Sequence, residues 1–134
     1  MGKYFTLNEL IYSATAELKK IDNTPNGAIK KNLEILIEQL DKIREKWGKP
    51  IYINSGYRCP ELNKVVKGVD SSQHQLGIAA DLDTRKGLAE NKKLYDLIVN
   101  NFKYDQVFLE NKGAWIHYSY VRPNRHLKGS LTQY

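Results

Sequence analysis

The sequence predicts an α+β fold in which a small antiparallel sheet is flanked by helices. Apolar residues recur at helical spacing over a long segment of the first half of the chain, and short β-branched and aromatic runs follow it. The 134 residues, 41% of them hydrophobic, suit one domain over residues 1–134 with a single core. Within this domain we expect residues 121–134 to form a loosely packed basic tail.

Helical signals cover residues 7–19, 25–47, 60–66 and 88–100. Thr6 and Glu9 make a capping box at the start of the first segment, with Thr6 as the N-cap. Pro25 is tolerated in the first turn of the second, long helix, and Gly48 stops that helix before Pro50. The apolar stripe of this long helix is expected to face the core.

Strand signals cover residues 51–54, 78–82, 104–110 and 114–120. Asn111, Lys112 and Gly113 are expected to join the last two strands as a hairpin, because Gly113 can supply a positive φ. The small residues Ala79 and Ala80 indicate that the second strand is central and buried. Helices that precede strands and an antiparallel hairpin together favour the α+β class.

A net charge of +6 favours an anionic partner, which includes nucleic acid, anionic lipid and an anionic cell wall. The basic residues are spread along the chain, and no recognition helix or aromatic RNA-binding motif accompanies them, so nucleic-acid binding is not expected. The single cysteine, Cys59, excludes an internal disulfide, and we expect it to cap the brief helix that starts at Pro60.

The sequence gives no signal for insertion into a membrane. The chain has no apolar run of roughly eighteen residues, so no transmembrane helix is expected. Residues 1–6 lack an apolar region, which is not the pattern of a secretory signal peptide. We therefore expect the protein to be made in the cytoplasm, or to leave it by a route that this sequence does not encode.

Two of the three histidines lie where a metal site would need them. His74 stands in a polar loop, Asp81 ends the strand that follows, and His117 lies in the middle of the last strand. Two imidazole nitrogens and one carboxylate oxygen make up a catalytic zinc set that leaves a fourth position for water. The spacing alone is only suggestive, because no H-E-x-x-H helix fixes two ligands one turn apart.

Three motifs in order give this spacing a context. Residues 72–81 match S-x-H-x-x-G-x-A-x-D at every specified position, residues 115–117 match W-x-H, and residues 55–58 match S-G-Y-R. With these motifs the chain resembles the zinc D-alanyl-D-alanine carboxypeptidase family. That family also includes D,D-dipeptidases and phage endolysins that cut L-alanyl-D-glutamate bonds. The resemblance spans roughly residues 5–120.

The resemblance implies a zinc metallopeptidase that hydrolyses peptidoglycan stem peptides, as a D-Ala-D-Ala carboxypeptidase or an L-Ala-D-Glu endopeptidase. His74, Asp81 and His117 would bind one Zn²⁺. The expected place of action is the cell wall or periplasm, the gene could be a phage or prophage gene, and the expected state is a monomer. The open alternative is a non-catalytic relative that keeps the zinc site and serves as a cell-wall-binding or virion structural module.

The resemblance also implies that Arg58 faces the active site, where it binds substrate and helps to polarise the scissile carbonyl. An arginine suits this role because its charge is permanent and its fork matches a carboxylate or a developing oxyanion. A surface ion pair with Glu61 is the alternative role for Arg58. Ser72 and Tyr57 are further candidates for substrate binding, Ser72 from the motif and Tyr57 from its position beside Arg58.

The general base is the residue that the resemblance leaves open. Many family members carry Asp or Glu three residues before the last His ligand, where this chain has Ala114. Glu110 is our candidate, because related short members also end this strand in Glu, and Asp105 is the fallback. A three-residue hairpin loop would turn Glu110 away from His117, whereas a two-residue loop would turn it toward the metal. An exposed hairpin carboxylate is the alternative role for Glu110.

Overall fold

The computed structural model describes residues 2–121 and 124–131 of the chain. Its α-helices are Leu7–Ile11 (α1), Ala14–Lys19 (α2), Gly27–Trp47 (α3), Pro60–Val65 (α4) and Leu88–Asn101 (α5). Its strands are Tyr52–Ser55 (β1), Ala79–Asp83 (β2), Gln106–Glu110 (β3), Trp115–Ser119 (β4) and Leu127–Leu131 (β5). Short 3₁₀ helices cover Gln73–Leu76 and Asn111–Gly113.

The predicted first helix is divided into α1 and α2 because Ser13 starts a new helix. Tyr12 has an extended ψ of 136°, and the Ser13 hydroxyl accepts the Ala16 N–H at 3.1 Å. A serine at the N-cap satisfies an N–H group that has no partner within the helix. The predicted capping box forms at the start of α1, where the Thr6 hydroxyl accepts the Glu9 N–H at 3.2 Å.

The long helix α3 begins at Gly27 because the Asn26 side chain caps it and accepts the Ile29 N–H at 2.9 Å. It ends at Gly48, whose φ of 74° lies in the left-handed region. Its buried apolar stripe consists of Leu33, Leu36, Ile37, Leu40 and Ile43. The remaining face is polar, and among the described residues no helix is both long and apolar enough to cross a membrane.

The five strands lie in the order β1-β2-β4-β3-β5, with helices flanking the sheet. The α+β fold class is therefore confirmed. Neighbouring strands are antiparallel except β3 and β5, so the sheet is mixed and not wholly antiparallel. The sequence predicts no strand after residue 121, and β5 corrects this expectation. Residues 127–131 contain no β-branched or aromatic side chain, so their pairing with β3 and not local propensity makes them a strand.

The two faces of the sheet have different roles because side chains alternate along each strand. Leu82, Ile116 and Leu109 lie opposite one another on β2, β4 and β3 and belong to the hydrophobic core. Asp81 precedes Leu82 on β2, and its partner His117 follows Ile116 on β4. The side chains of Asp81 and His117 therefore lie on the other face of the sheet. The register that buries the core therefore also places a carboxylate beside an imidazole.

Candidate metal centre

The structure brings together the three side chains that the sequence singles out as metal ligands. His74, Asp81 and His117 are buried, and their ligand atoms lie within 4.8 Å of one another. Ser72 caps the 3₁₀ helix that carries His74, because its hydroxyl accepts the His74 N–H at 3.2 Å. Gly77 then turns the chain into β2 with a φ of 73°, in the left-handed region that glycine adopts without strain.

The distances within this group suit a tetrahedral metal ion. Asp81 Oδ1 lies 3.3 Å from His74 Nε2 and 3.3 Å from His117 Nδ1. Two donors bonded to zinc at about 2.0 Å with a tetrahedral angle are about 3.3 Å apart. Burial alone would raise the pKa of Asp81, but the two imidazoles hold it well below its usual value. The carboxylate is therefore ionised and available as a ligand.

Hydrogen bonds behind the two imidazoles fix which nitrogen faces the centre. His74 Nδ1 lies 2.7 Å from the Gly56 carbonyl oxygen, which can only accept, so Nδ1 carries the proton and Nε2 keeps its lone pair. His117 Nε2 lies 3.1 Å from Gln73 Oε1, which leaves His117 Nδ1 unprotonated in the same way. Such outer hydrogen bonds hold the tautomer and ring orientation that a metal ligand needs.

The hydrogen bond to His117 is the first in a chain that reaches Arg125, two residues before β5. Gln73 Nε2 donates to Asp105 Oδ2 at 2.7 Å, and because a carboxylate only accepts, Gln73 Oε1 must face His117. Arg125 donates to Asp105 from Nη2 at 2.7 Å and from Nε at 3.0 Å. The Arg125 hydrogen bonds, with that of Gln73, outweigh burial and lower the pKa of Asp105 to about 2.

Gln73 and Arg125 are not predicted as site residues from the sequence, and Asp105 is expected there only as a fallback base. Both carboxylate oxygens of Asp105 accept hydrogen bonds from these two residues. Asp105 therefore lies behind His117 and away from the three ligand atoms. Gln73 occupies the unspecified position of the S-x-H motif, so the motif gives no signal for it. Arg125 lies in the segment for which no element is predicted, and only tertiary contact reveals its partner.

Glu110 lies on the metal face of the sheet. The hairpin connection has four residues, 111–114, because the Ala114 N–H donates to the Glu110 and Asn111 carbonyls and delays β4 until Trp115. Glu110 then pairs with Trp115, two positions from the pair of Phe108 with His117, so Glu110 shares the face of His117. The expectation of a three-residue loop is therefore wrong. A four-residue loop places Glu110 on the same face of the sheet as a two-residue loop would.

The carboxylate of Glu110 is held close to the centre. Glu110 Oε2 lies 3.9 Å from His117 Nδ1 and accepts the indole N–H of Trp115 at 3.0 Å. Only 14% of the Glu110 side chain is exposed, which does not agree with a solvent-exposed hairpin carboxylate. The Trp115 indole therefore holds an acidic group close to the ligand atoms. This group comes from Glu110, at the end of β3, and not from position 114 in the loop.

Arg58 lies beside the same centre. Its backbone N–H donates to the His74 carbonyl at 3.0 Å, and its Nη2 donates to Ser72 Oγ at 3.1 Å. Burial lowers the pKa of Arg58, while the negative charges of Asp81 and Glu110 act in the opposite direction. The described residues contain no ion pair between Arg58 and Glu61.

Tyr57 is only 5% exposed and belongs to the core, although it also forms part of the wall of a cleft beside Arg58. Its backbone N–H donates to the Leu10 carbonyl at 2.7 Å, and burial raises the pKa of its hydroxyl. Ser72 is buried and holds both His74 and Arg58 through one hydroxyl. Both candidates for substrate binding therefore have a structural role, since Tyr57 packs in the core and Ser72 holds His74 and Arg58.

Two imidazoles and a carboxylate around one point, with a further carboxylate and a guanidinium beside them, form the kind of site that metal-dependent hydrolases use. A family model described as Peptidase M15 matches residues 3–119 of the sequence. The chain therefore belongs to the M15 peptidase family, the zinc D-Ala-D-Ala carboxypeptidase family that its motifs resemble, and by family it is a metallopeptidase. No curated protein matches the chain.

Proposed function

We propose that the protein is an active zinc peptidase that hydrolyses peptide bonds in peptidoglycan stem peptides, as a D-Ala-D-Ala carboxypeptidase or an L-Ala-D-Glu endopeptidase. The observation that carries the proposal is the position of Glu110, whose carboxylate lies 3.9 Å from a ring nitrogen of the His-Asp-His group. A structural metal site closes its coordination with protein ligands, whereas three ligands with a further carboxylate beside them suit catalysis.

His74, Asp81 and His117 would hold the ion. The choice of zinc rests on the donor set, since two imidazoles and one carboxylate at tetrahedral spacing suit Zn²⁺. When bound, zinc supplies Lewis-acid chemistry, which acidifies water and polarises a carbonyl group. The hydrogen bonds from His74 to Gly56 and from His117 to Gln73 support this assignment, because they leave both inner nitrogens with a lone pair.

Glu110 would move the proton. In peptide hydrolysis a water molecule attacks the carbonyl carbon, the C–N bond breaks, and the leaving amine must gain a proton. Glu110 accepts the proton from the attacking water and returns it to the amine, while the Trp115 indole keeps the carboxylate in place. Arg58 offers its charge to the carbonyl oxygen, which becomes negative as the bond to water forms, or to a substrate carboxylate.

The choice of peptidoglycan rests on the motifs of the family and on charge. A net charge of +6 attracts an anionic wall polymer and accelerates encounter at low salt. We propose that the protein acts as a monomer at the cell wall or in the periplasm.

A non-catalytic wall-binding or virion module with the same zinc site is the second candidate. The observation that favours it is Ala114, which stands where many relatives carry the proton-transferring residue. This candidate predicts zinc binding and wall binding without hydrolysis. Incubation with purified peptidoglycan distinguishes the two, because only the enzyme releases peptides or amino acids that mass spectrometry can assign to one bond.

The test of the proposed base is Glu110→Gln, which keeps the shape of the side chain and removes its proton transfer. We expect kcat to fall by about 10² to 10⁴-fold while zinc stoichiometry stays at that of the unmodified protein. Glu38→Gln is the matched control, since Glu38 is exposed on α3 and lies away from the centre. Chelation should abolish hydrolysis and added zinc should restore it. A Glu110→Gln protein that cuts peptidoglycan at the normal rate would rule out this role.

A further inference from the structure

A cleft of about 500 Å³ opens beside the metal centre, between β1 and residues 12–15. Ile53, Asn54 and Ser55 of β1 form one wall, and the cleft is also lined by Arg58, whose backbone N–H donates to the His74 carbonyl. Ser55 pairs with Asp81 in the register of β1 and β2, so this end of the strand lies next to a proposed metal ligand. The cleft therefore adjoins the site described above and shares Arg58 with it.

The cleft is positively charged. Arg58 and Arg85 line it, and none of the described residues that line it is acidic. Arg85 has no ion pair among the described residues, and its guanidinium lies 4.0 Å from the centre of the Tyr52 ring. An arginine stacked on an aromatic ring keeps its edge free for a planar anion such as a carboxylate.

Local backbone geometry holds Arg85 in this position. Its φ is 58°, and its N–H donates to Asp83 Oδ1 at 3.0 Å in a turn directly after β2. A left-handed φ at a residue other than glycine, asparagine or aspartate is uncommon. A second cavity of about 350 Å³ shares Tyr12, Ile53 and Arg85 with the cleft, so the groove continues past Arg85. Glu9 also lines this second cavity, and its carboxylate accepts the Thr6 N–H at 3.1 Å. Arg85 therefore lies inside the groove and not at its outer end.

The wall of this groove is the open edge of the sheet. β1 is the terminal strand and pairs only with β2, so its other edge faces the cleft. An edge strand offers backbone N–H and C=O groups to an extended peptide. Tyr52 and Ser55 are three residues apart, which is about 10 Å in a strand. A peptide laid along β1 with its reacting bond at the metal centre would reach Arg85 with a side chain or carboxylate.

We propose that the groove along β1 binds an extended acidic peptide and that Arg85 binds a carboxylate of this peptide about 10 Å from the metal centre. The inference deepens the proposed function, since it names the charge that the peptide must carry. Arg85 is a specificity-determining residue in this view. It distinguishes a carboxylate from a carboxamide at a position remote from the reacting bond.

The test uses the pentapeptide L-Ala-γ-D-Glu-L-Lys-D-Ala-D-Ala in two forms, with the α-carboxylate of D-Glu either free or amidated. This carboxylate is remote from the D-Ala-D-Ala bond, so the test applies to a peptide bound with that bond at the metal centre. Binding to the zinc-loaded protein is followed through the amide chemical shifts of the ¹⁵N-labelled chain. We expect the free acid to bind about tenfold more tightly, as one charge-assisted hydrogen bond suggests. Arg85→Gln should remove this preference, and Arg85→Lys, which keeps the charge, should retain part of it.

Arg44→Gln is the matched control, because Arg44 also stacks on a tyrosine, Tyr4, but lies on α3 outside the groove. It should bind both peptides as the unmodified protein does. Equal binding of the two peptides by the unmodified protein, or an unchanged preference in Arg85→Gln, would overturn the inference. Binding needs no cleavage, so a protein that prefers the acid but cuts no wall peptide would count against the proposed function and not against Arg85.

Discussion

Replacing Asp105 by asparagine tests whether the hydrogen-bond chain behind His117 stabilises the fold and supports metal binding. Asp105 is buried at 1% exposure and accepts hydrogen bonds from Gln73 and Arg125. Asparagine has nearly the same shape, but one of its two polar atoms is a donor. In Asp105→Asn a donor therefore faces another donor, either at Gln73 or at Arg125, and the charge that Arg125 pairs with is lost.

The size of the effect follows from the pKa of Asp105. A fall from the ordinary 3.8 to about 2, caused chiefly by Arg125, corresponds to about 2 kcal/mol of stability at neutral pH. Because the Arg125 side chain is 56% exposed, solvent screening brings the expected loss to between about 1 and 2 kcal/mol. The folded pKa is the lower one, so this stability is complete above pH 3.8 and is lost as the pH falls toward 2.

Urea unfolding of the zinc-free protein measures this difference at pH 7 and again near pH 3. The free energies of unfolding of Asp105→Asn and the unmodified chain should differ at pH 7, and the difference should be smaller near pH 3. Asp96→Asn is the control, because the ion pair of Asp96 with Lys92 is exposed and should contribute less than about 0.5 kcal/mol. Equal stability at pH 7, or a difference that does not change with pH, would contradict the reasoning.

The same variant should also bind zinc less tightly. Loss of the group that orients Gln73 frees the His117 ring, and such outer contacts typically change metal affinity by about 10 to 100-fold. Competition with a chromophoric chelator measures this affinity without any reference to catalysis. Unchanged zinc affinity in Asp105→Asn would show that the chain through Gln73 does not position His117.

Two further predictions concern the packing that supports the site. Gly77→Ala should lower the free energy of unfolding by about 2 kcal/mol or more, measured by thermal unfolding. The φ of Gly77 is 73°, and an added methyl group would come within 2.8 Å of Ile29. Gly27→Ala is the control, because an added methyl group there meets open space and should change stability little. Tyr118→Phe should cost about 1 kcal/mol in urea unfolding, since the buried hydroxyl donates to the Lys103 carbonyl at 3.0 Å; no loss would show that this hydrogen bond contributes nothing.

Much of the candidate site was predictable because its signals are local. The S-x-H motif placed His74 and Asp81 on a loop and the strand that follows it, and W-x-H placed His117 on the last strand. Alternation then required Asp81 and His117 to share a face once their strands paired. The helices α3 and α5 were predictable for a similar reason, since their apolar residues repeat at helical spacing.

Features that depend on single residues in turns were not predictable. The first helix breaks because Ser13 competes for an N–H group, and the hairpin takes four residues because Ala114 stays in the turn. Each is a choice between conformations of similar energy. The second choice decides which face carries Glu110, because one residue more or less in the loop turns every later side chain over.

The sequence by itself determined the fold class, the family and the three side chains that can hold a metal ion. Only the tertiary structure decided on which face of the sheet Glu110 lies and which residues form hydrogen bonds with Asp105. It also decided the place of β5 beside β3. The physical reason is distance along the chain. Gln73, Asp105 and Arg125 are far apart in sequence, and contacts between such residues exist only once the whole sheet has formed.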